Sequence, residues 1–567
     1  MISLLPTPKR ALMFSLALVL GGCATIDQPP SPPVLPAPPP PPRELSIFSI
    51  NDFHGHLQDK GPVPLMARVP NAVGELKGQP AGGVAHLATV VQGLRAQRQH
   101  SVLVAAGDLI GATPLLSSLL KDEPTLAAMG ELGLVASALG NHELDAGLKE
   151  LQRKTRGECP VDGCDWPGFK GPGFPYLAAN MLDAQTGQPV LPTHVMHNVA
   201  GFKVAFVGAV TRDTPMVVVP SGIRGLKFAD EVQTLNALVP TLKAQGAQVL
   251  IAVMHEGASH QGAANDPSYA CPGLQGRGVD IAKGLDAAYA VLITGHTHQA
   301  YTCKINGRLV VQAGSNGGWL TETRLKLNAG GEVLDAQAVN HPVLQAQYLP
   351  NPAFAALVRR AGELTASIRN KPIAQLSRGA QRAVQAPYAD STMGNLIADA
   401  QLAYAKRRGP ADIAFMNPGG IRADLAVEPG RAVTLGDLFA VQPFSNDLVV
   451  MSLSGAQVRD LLQRQLPKTD APPRLLQVSQ SLHYRWKLQD GKPVLVAVQV
   501  DGQPLELGRT YRVVVNNFMA EGGDGHSTFN QGRDRVSLGM DIDALSELLA
   551  EQPQSVERIQ SGRIVRE

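Results

Sequence analysis

Short apolar runs recur along the first 300 residues, and each stops at a cluster of polar, metal-binding side chains. The runs at 45–50, 102–106, 249–254 and 290–294 are rich in Val, Ile, Leu and Ala, a pattern that predicts buried parallel strands. The clusters that close apolar stretches are Asn51-Asp52-Phe53-His54, Gly107-Asp108, Gly140-Asn141-His142-Glu143, His255-Glu256 and Gly295-His296-Thr297-His298. If each run is a strand, each cluster lies at a carboxyl end, the edge where open α/β sheets bind ligands. Residues distant in sequence then converge on one site.

Further along, the pattern changes. The stretch 351–370 has helical composition, with Phe354, Leu357, Val358, Leu364 and Ile368 at core-facing spacings, and it predicts a linker helix. Beyond it a second α/β region opens at Lys371. Ser391 caps a predicted helix, and strands are expected at 413–416, 448–453, 494–500 and 511–516.

The five clusters suit a hydrolase with two metal ions. Two cations roughly 3.5–4 Å apart need an anionic ligand between them, and Asp108 beside Gly107 suits that bridging place. Asp52 and His54 can share one ion, and His296 and His298 can serve one each. Asn141 offers an amide oxygen and His255 an imidazole. Oxygen and nitrogen donors without thiolate favour zinc, manganese or iron(II). His142 has Asp145 three residues on, the spacing of a shared helical face, so the carboxylate can orient and charge the imidazole. A cationic His142 beside the metals would stabilise charge on a phosphoryl group. The second region shows no obvious metal cluster and is expected to recognise the substrate. There Asn417 and Arg422 flank a Gly-Gly turn suited to phosphate or ribose, Phe444 and Phe518 are candidate faces for a base, and Asp524 is a candidate acceptor for ribose hydroxyls.

These motifs resemble the calcineurin-like metallophosphoesterases. Asn417-Pro418-Gly419-Gly420-Ile421-Arg422 and the 517–525 segment resemble the nucleotide-binding domain of secreted bacterial 5′-nucleotidases. The resemblance implies an α/β architecture: a metallophosphoesterase β-sandwich flanked by helices (αββα) over 44–345, a linker helix over 346–370, and a C-terminal α/β substrate-binding domain over 371–567. It places Asp52, His54, Asp108 and His298 on one ion, and Asp108, Asn141, His255 and His296 on the other. His142 and Asp145 become the catalytic dyad. Phe444 and Phe518, which as bare residues read as core, become the base clamp. A second phosphate arginine is expected too; Arg378 and Arg382 are the nearest candidates, Arg382 the one taken, although 383–391 departs from the family pattern. The implied activity is release of phosphate and nucleoside from nucleoside 5′-monophosphates in nucleotide salvage. The alternatives are a 2′,3′-cyclic-nucleotide phosphodiesterase with 3′-nucleotidase activity, or a hydrolase of UDP-sugars or dinucleotides.

The start of the chain bears on location. Lys9 and Arg10 precede an apolar stretch, 11–20, too short to span a bilayer, and Leu20-Gly21-Gly22-Cys23 resembles a lipobox. Residues 1–23 are therefore expected to be a lipoprotein signal with Cys23 lipidated. Ala24 resembles sorting to the outer membrane, facing the periplasm or cell surface. The proline-dominated stretch within 24–43 cannot pack a core and is expected to be an extended linker. Beyond residue 43 about 520 residues remain, enough for two to three domains. A net charge of +2 gives no footing for a nucleic-acid polymer as partner. In an exported chain the four remaining cysteines favour two disulfides, with local pairing Cys159–Cys164 and Cys271–Cys303. A four-thiolate zinc site lacks its two Cys-x-x-Cys pairs.

Overall fold

Two six-stranded sheets packed face to face carry the first half of the protein. The computed structural model describes residues 41–567 except 61–64, 72–74, 162, 261, 383–388 and 468–474; the signal, Cys23 and nearly all of the proline-rich stretch lie outside the described residues. Across the first sheet the strands run Val333–Pro342, Trp319–Leu327, Arg43–Ile50, Ser101–Ala105, Leu134–Ala138 and Tyr176–Leu177. The second runs Ala300–Ile305, Arg308–Ala313, Tyr289–Ile293, Val249–His255, Phe202–Val210 and His194–Val199. Strands 43–50, 101–105 and 134–138 are parallel neighbours, as are 202–210, 249–255 and 289–293. The predicted runs are thus strands within one or two residues. They belong to two sheets, so the site gathers two carboxyl edges rather than one.

Period-two alternation explains the layers. Leu45 and Ile47 point inward with Val102 and Val104 to meet Phe206, Ile251, Val253 and Val311 of the other sheet. Phe48, Ile50, Leu103 and Ala105 point outward into a cluster with Val84, Leu87 and Val91 of helix Val84–Ala96. On the far side Leu250, Ala252 and Leu292 pack against Leu235 and Leu242 of helix Glu231–Ala244. Because both faces of each sheet are covered, the strands read as unbroken apolar runs.

Helix Pro352–Arg369 follows, capped by the Asn351 side chain. It buries Phe354, Ala361 and Thr365, while Leu364 and Ile368 are 47% and 48% exposed. The expected core face is therefore corrected: the buried stripe runs through small residues in the helix's second half, and the two larger apolar side chains fall off it. The second region is built on the sheet Gln477–Val478, Ile413–Met416, Thr510–Asn516, Asp447–Ser454 and Arg533–Met540. One face packs on helices Thr392–Lys406 and Asp541–Glu551, the other on helix Gly455–Arg464 and strand Leu482–Gln489. Leu115, which follows the Asp108 loop, sits in the first of these clusters and joins the first half of the chain to the second. Both cysteine pairs form the expected disulfides, and no described helix is long and apolar enough to cross a membrane.

Candidate active site

The five clusters meet between the carboxyl edges of the two sheets. Asp52, His54 and His298 form one group and Asp108, His255 and His296 another, with the ligating atoms of each group within 4.8 Å of one another. Close approach dictates glycine beside them. A Cβ on Gly140 would fall 2.0 Å from Asp108 Oδ1, and one on Gly107 2.7 Å from His255 Nδ1. Asp52, His54, Asp108, His296 and His298 all adopt left-handed backbone, with φ of 49°, 47°, 51°, 70° and 56°. Each costs on the order of 1–3 kcal/mol, which the surrounding packing must supply.

Hydrogen bonds behind the ligands aim their lone pairs inward. His54 donates from Nδ1 to the Gly111 carbonyl at 2.8 Å, which leaves Nε2 facing His298 Nε2 at 3.1 Å and Asp108 Oδ2 at 3.7 Å. His255 donates from Nδ1 to the Ala106 carbonyl at 2.7 Å; its Nε2 lies 3.0 Å from Asp108 Oδ2 and 3.1 Å from Asn141 Oδ1. Asp108 thus touches both groups, as a bridge must. The Asp52 carboxylate receives the His296 N–H at 3.0 Å and lies 3.4 Å from His298 Nε2.

Lone pairs converging at such distances repel unless a cation lies among them. Burial opposes protonation of His255, but the Asp108 carboxylate outweighs it and lifts the imidazole to about 10. Burial likewise opposes ionisation of Asp108, yet His255 and His142 hold it well below the usual carboxylate range. The donor set fits two divalent ions, which Asp52, His54 and His298 and, on the other side, Asp108, His255 and His296 could hold, with Asn141 Oδ1 beside His255 and Asp108 within reach of both groups.

His142 opens a 3-10 turn, His142–Leu144, rather than an α-helix. The turn still puts Asp145 on the same face, and its Oδ2 accepts from His142 Nδ1 at 2.8 Å. Burial lowers the His142 pKa, but Asp145 and Asp108 overcome it and raise the net value.

The second half of the chain reaches this centre. Burial pushes the Arg422 guanidinium down, opposed by the charge of Asp108, Asp145 and Asp52 and reinforced by that of Arg382. Arg382 donates to the Arg422 carbonyl at 2.9 Å, whereas Arg378 is spent on the Val556 and Ile559 carbonyls. Phe444 stacks on His142 with ring centroids 5.7 Å apart, and the Arg422 guanidinium stands 5.9 Å from its centroid. Asn417 donates to Asp524 at 2.9 Å and accepts from Asn516 at 3.0 Å. Phe518, partly buried, packs against the apolar cluster on this face of the second sheet and crowds Gly523, where a Cβ would meet its ring at 2.4 Å.

Three side chains that hold the ligand loops were missed in the sequence, although each adjoins a ligand there. Glu143 accepts from the backbone of Asp108 at 3.0 Å, Leu109 at 2.7 Å and Gly140 at 2.7 Å. Burial pushes its carboxyl up to about 7, yet both oxygens face N–H donors, so the loop is built around the carboxylate. Glu256 accepts from the Gly257 N–H and the Thr211 hydroxyl, each at 2.8 Å, and pairs with Arg277 at 3.3 Å. Thr297 donates its hydroxyl toward the Ala258 carbonyl and Gln312 Oε1 at 2.9 Å, tying the His296–His298 turn down.

Comparison with known proteins agrees with this geometry. Residues 45–300 match the calcineurin-like phosphoesterase family and residues 372–531 the 5′-nucleotidase C-terminal domain. Endonuclease YhcR of Bacillus subtilis is 29% identical over 92% of this chain, which spans only 41% of that protein's length. A 5′-nucleotidase of Vibrio vulnificus is 26% identical over 95% of each chain. The crystal structure of a 5′-nucleotidase precursor from Thermus thermophilus superposes with a TM-score of 0.73 at 25% identity, covering 92% of this chain and 99% of that one. The chain therefore belongs to the 5′-nucleotidase family, in which a metal-dependent calcineurin-like phosphoesterase domain with two divalent ions precedes a 5′-nucleotidase C-terminal domain.

Proposed function

We propose that the protein hydrolyses nucleoside 5′-monophosphates to nucleoside and inorganic phosphate. The observation that supports the reading is the Arg422 guanidinium, 5.9 Å from the Phe444 ring, which itself stacks on His142. A cation there has a purpose when an anionic phosphoryl group lies between it and the metals. When bound, two divalent ions lower the pKa of water and polarise phosphoryl oxygens.

The chain's own residues do the rest. Asp108, within reach of both ligand groups, would hold both ions. His142, held by Asp145, presents an N–H to a phosphoryl oxygen and offsets charge that grows as the P–O5′ bond breaks. Arg422, with Arg382 behind it, binds the same phosphate, and one water is consumed for each ester cleaved. Phe444 and Phe518 offer aromatic faces to the base, while Asp524, turned by Asn417, accepts from ribose hydroxyls.

Two disulfides fit an oxidising compartment. With the lipobox at Cys23, they support an exported protein tethered by lipid at the outer membrane, where it would recover nucleosides from nucleotides that cannot cross. Phosphate release from AMP, 3′-AMP, 2′,3′-cyclic AMP and UDP-glucose by metal-replete protein tests the reading. AMP should be cleaved fastest; a protein that cleaves only the cyclic ester or the sugar nucleotide contradicts it.

A further inference from the structure

Phe444 sits on a tight turn whose two ends meet one buried aspartate, one end through its backbone N–H and the other through its carboxyl. Gln442 and Asn446, 1% and 8% exposed, bracket Pro443, Phe444 and Ser445, and Ser445 is left-handed with φ 52°. Asp541, 1% exposed, begins helix Asp541–Glu551 on the other side of this turn. Its backbone N–H donates to the Asn446 carbonyl at 2.8 Å, and its Oδ2 lies 3.4 Å from Gln442 Nε2. Asp541 falls beyond the segment 372–531 that matches the nucleotidase domain.

We propose that Asp541 is a positioning residue for substrate binding: it pins both ends of the Gln442–Asn446 turn and so sets the Phe444 ring against His142. Two buried oxygens support this. Asp541 Oδ1 and Gln442 Oε1 both lack a hydrogen-bond partner among the described residues. Turning the amide would bring Gln442 Oε1 against Asp541 Oδ2, where a protonated carboxyl donates to it. Burial, with Asp543 and Asp447 close by, outweighs hydrogen bonds from the Ile542 N–H and the Asn446 side chain and pushes the Asp541 carboxyl up to about 7. A substantial share is then neutral acid near neutrality, able to donate.

The inference rests on the proposed part of Phe444 in the substrate site, and a double-mutant cycle tests it. We expect Asp541→Ala to lower kcat/KM for AMP about 10-fold, chiefly through KM, and Phe444→Ala to lower it by a similar factor. The double variant should be no worse than Phe444→Ala alone, and Asp541→Asn should stay within about 2-fold of the parent because the amide can still bridge the turn. Effects that multiply in the double variant, or an Asn variant as impaired as the Ala variant, overturn the proposal. If Asp541→Ala does not fold, Gln442→Met crossed with Phe444→Ala gives the same two outcomes. Running the cycle on p-nitrophenyl phosphate as well separates the claims. A protein inactive on AMP but active on the aryl ester refutes the nucleotidase reading, while the cycle on the aryl ester still judges Asp541.

Discussion

Replacing Glu143 by Gln should loosen the metal centre without touching a ligand. The carboxylate gathers backbone donors from both ligand loops: Asp108 and Gly140 on one oxygen, Leu109 and a longer contact from Ile110 on the other. An amide keeps one acceptor oxygen and turns the other into a donor that faces N–H groups. One side of the staple is lost in either orientation. A charge-assisted hydrogen bond contributes about 1.5–3 kcal/mol, and a buried donor left unpaired costs about as much. The expected destabilisation is therefore about 3 kcal/mol. Since the same loops hold Asp108 and Asn141, metal affinity should fall roughly 10–100-fold, while turnover at saturating metal stays within a few-fold of the parent. Thermal unfolding of metal-free protein gives the first quantity and metal titration followed by activity the second. A Gln variant with parental stability and parental metal affinity would refute the staple.

Other consequences follow from single contacts. Phe518→Ala should raise KM for AMP about 10-fold, the share expected of one base stack, and leave p-nitrophenyl phosphate nearly unchanged; equal effects on both substrates speak against a base clamp. Removing the Cys271–Cys303 bridge, which closes a 32-residue separation, should cost about 3–4 kcal/mol in urea unfolding, and a loss below 1 kcal/mol would show that the loop is held by its packing alone. Glu322 is opposed by burial, but hydrogen bonds from His341 and Arg98 hold it at about 2 against an ordinary 4.5. A depressed carboxyl stabilises above its unfolded pKa and loses that contribution as pH falls through the folded one. Glu322→Gln should therefore cost about 2 kcal/mol from neutrality down to pH 5, after discounting for partial exposure. The gap should close between about pH 4.5 and 2. A gap that widens on acidification contradicts the assignment.

How far the sequence carried can be judged residue by residue. The candidate metal ligands were legible because they follow strands buried on both faces, and such strands announce themselves as unbroken apolar runs. The division into two sheets was not legible in the runs themselves, since parallel strands of either sheet look alike; only the family resemblance implied a sandwich. Helix 352–369 was located to within a residue at each end, yet its buried face was misjudged: Ala361 and Thr365 outweigh Leu364 and Ile368 because closeness of approach, not side-chain size, decides that contact. Strand Leu482–Gln489 alternates buried and exposed along Leu482, His483, Tyr484, Arg485 and Trp486, a signal that was present and passed over. The place of Phe444 on His142 was beyond reach, since it depends on how the two halves of the chain meet.

The account stands on Asp108 holding two cations at once. Elemental analysis of protein loaded with zinc or manganese and freed of excess ion should find two ions per chain in the parent. In Asp108→Ala, without its shared carboxylate, no more than one should remain. A parent that retains a single ion, or an Asp108→Ala variant that keeps both, would contradict the dinuclear centre.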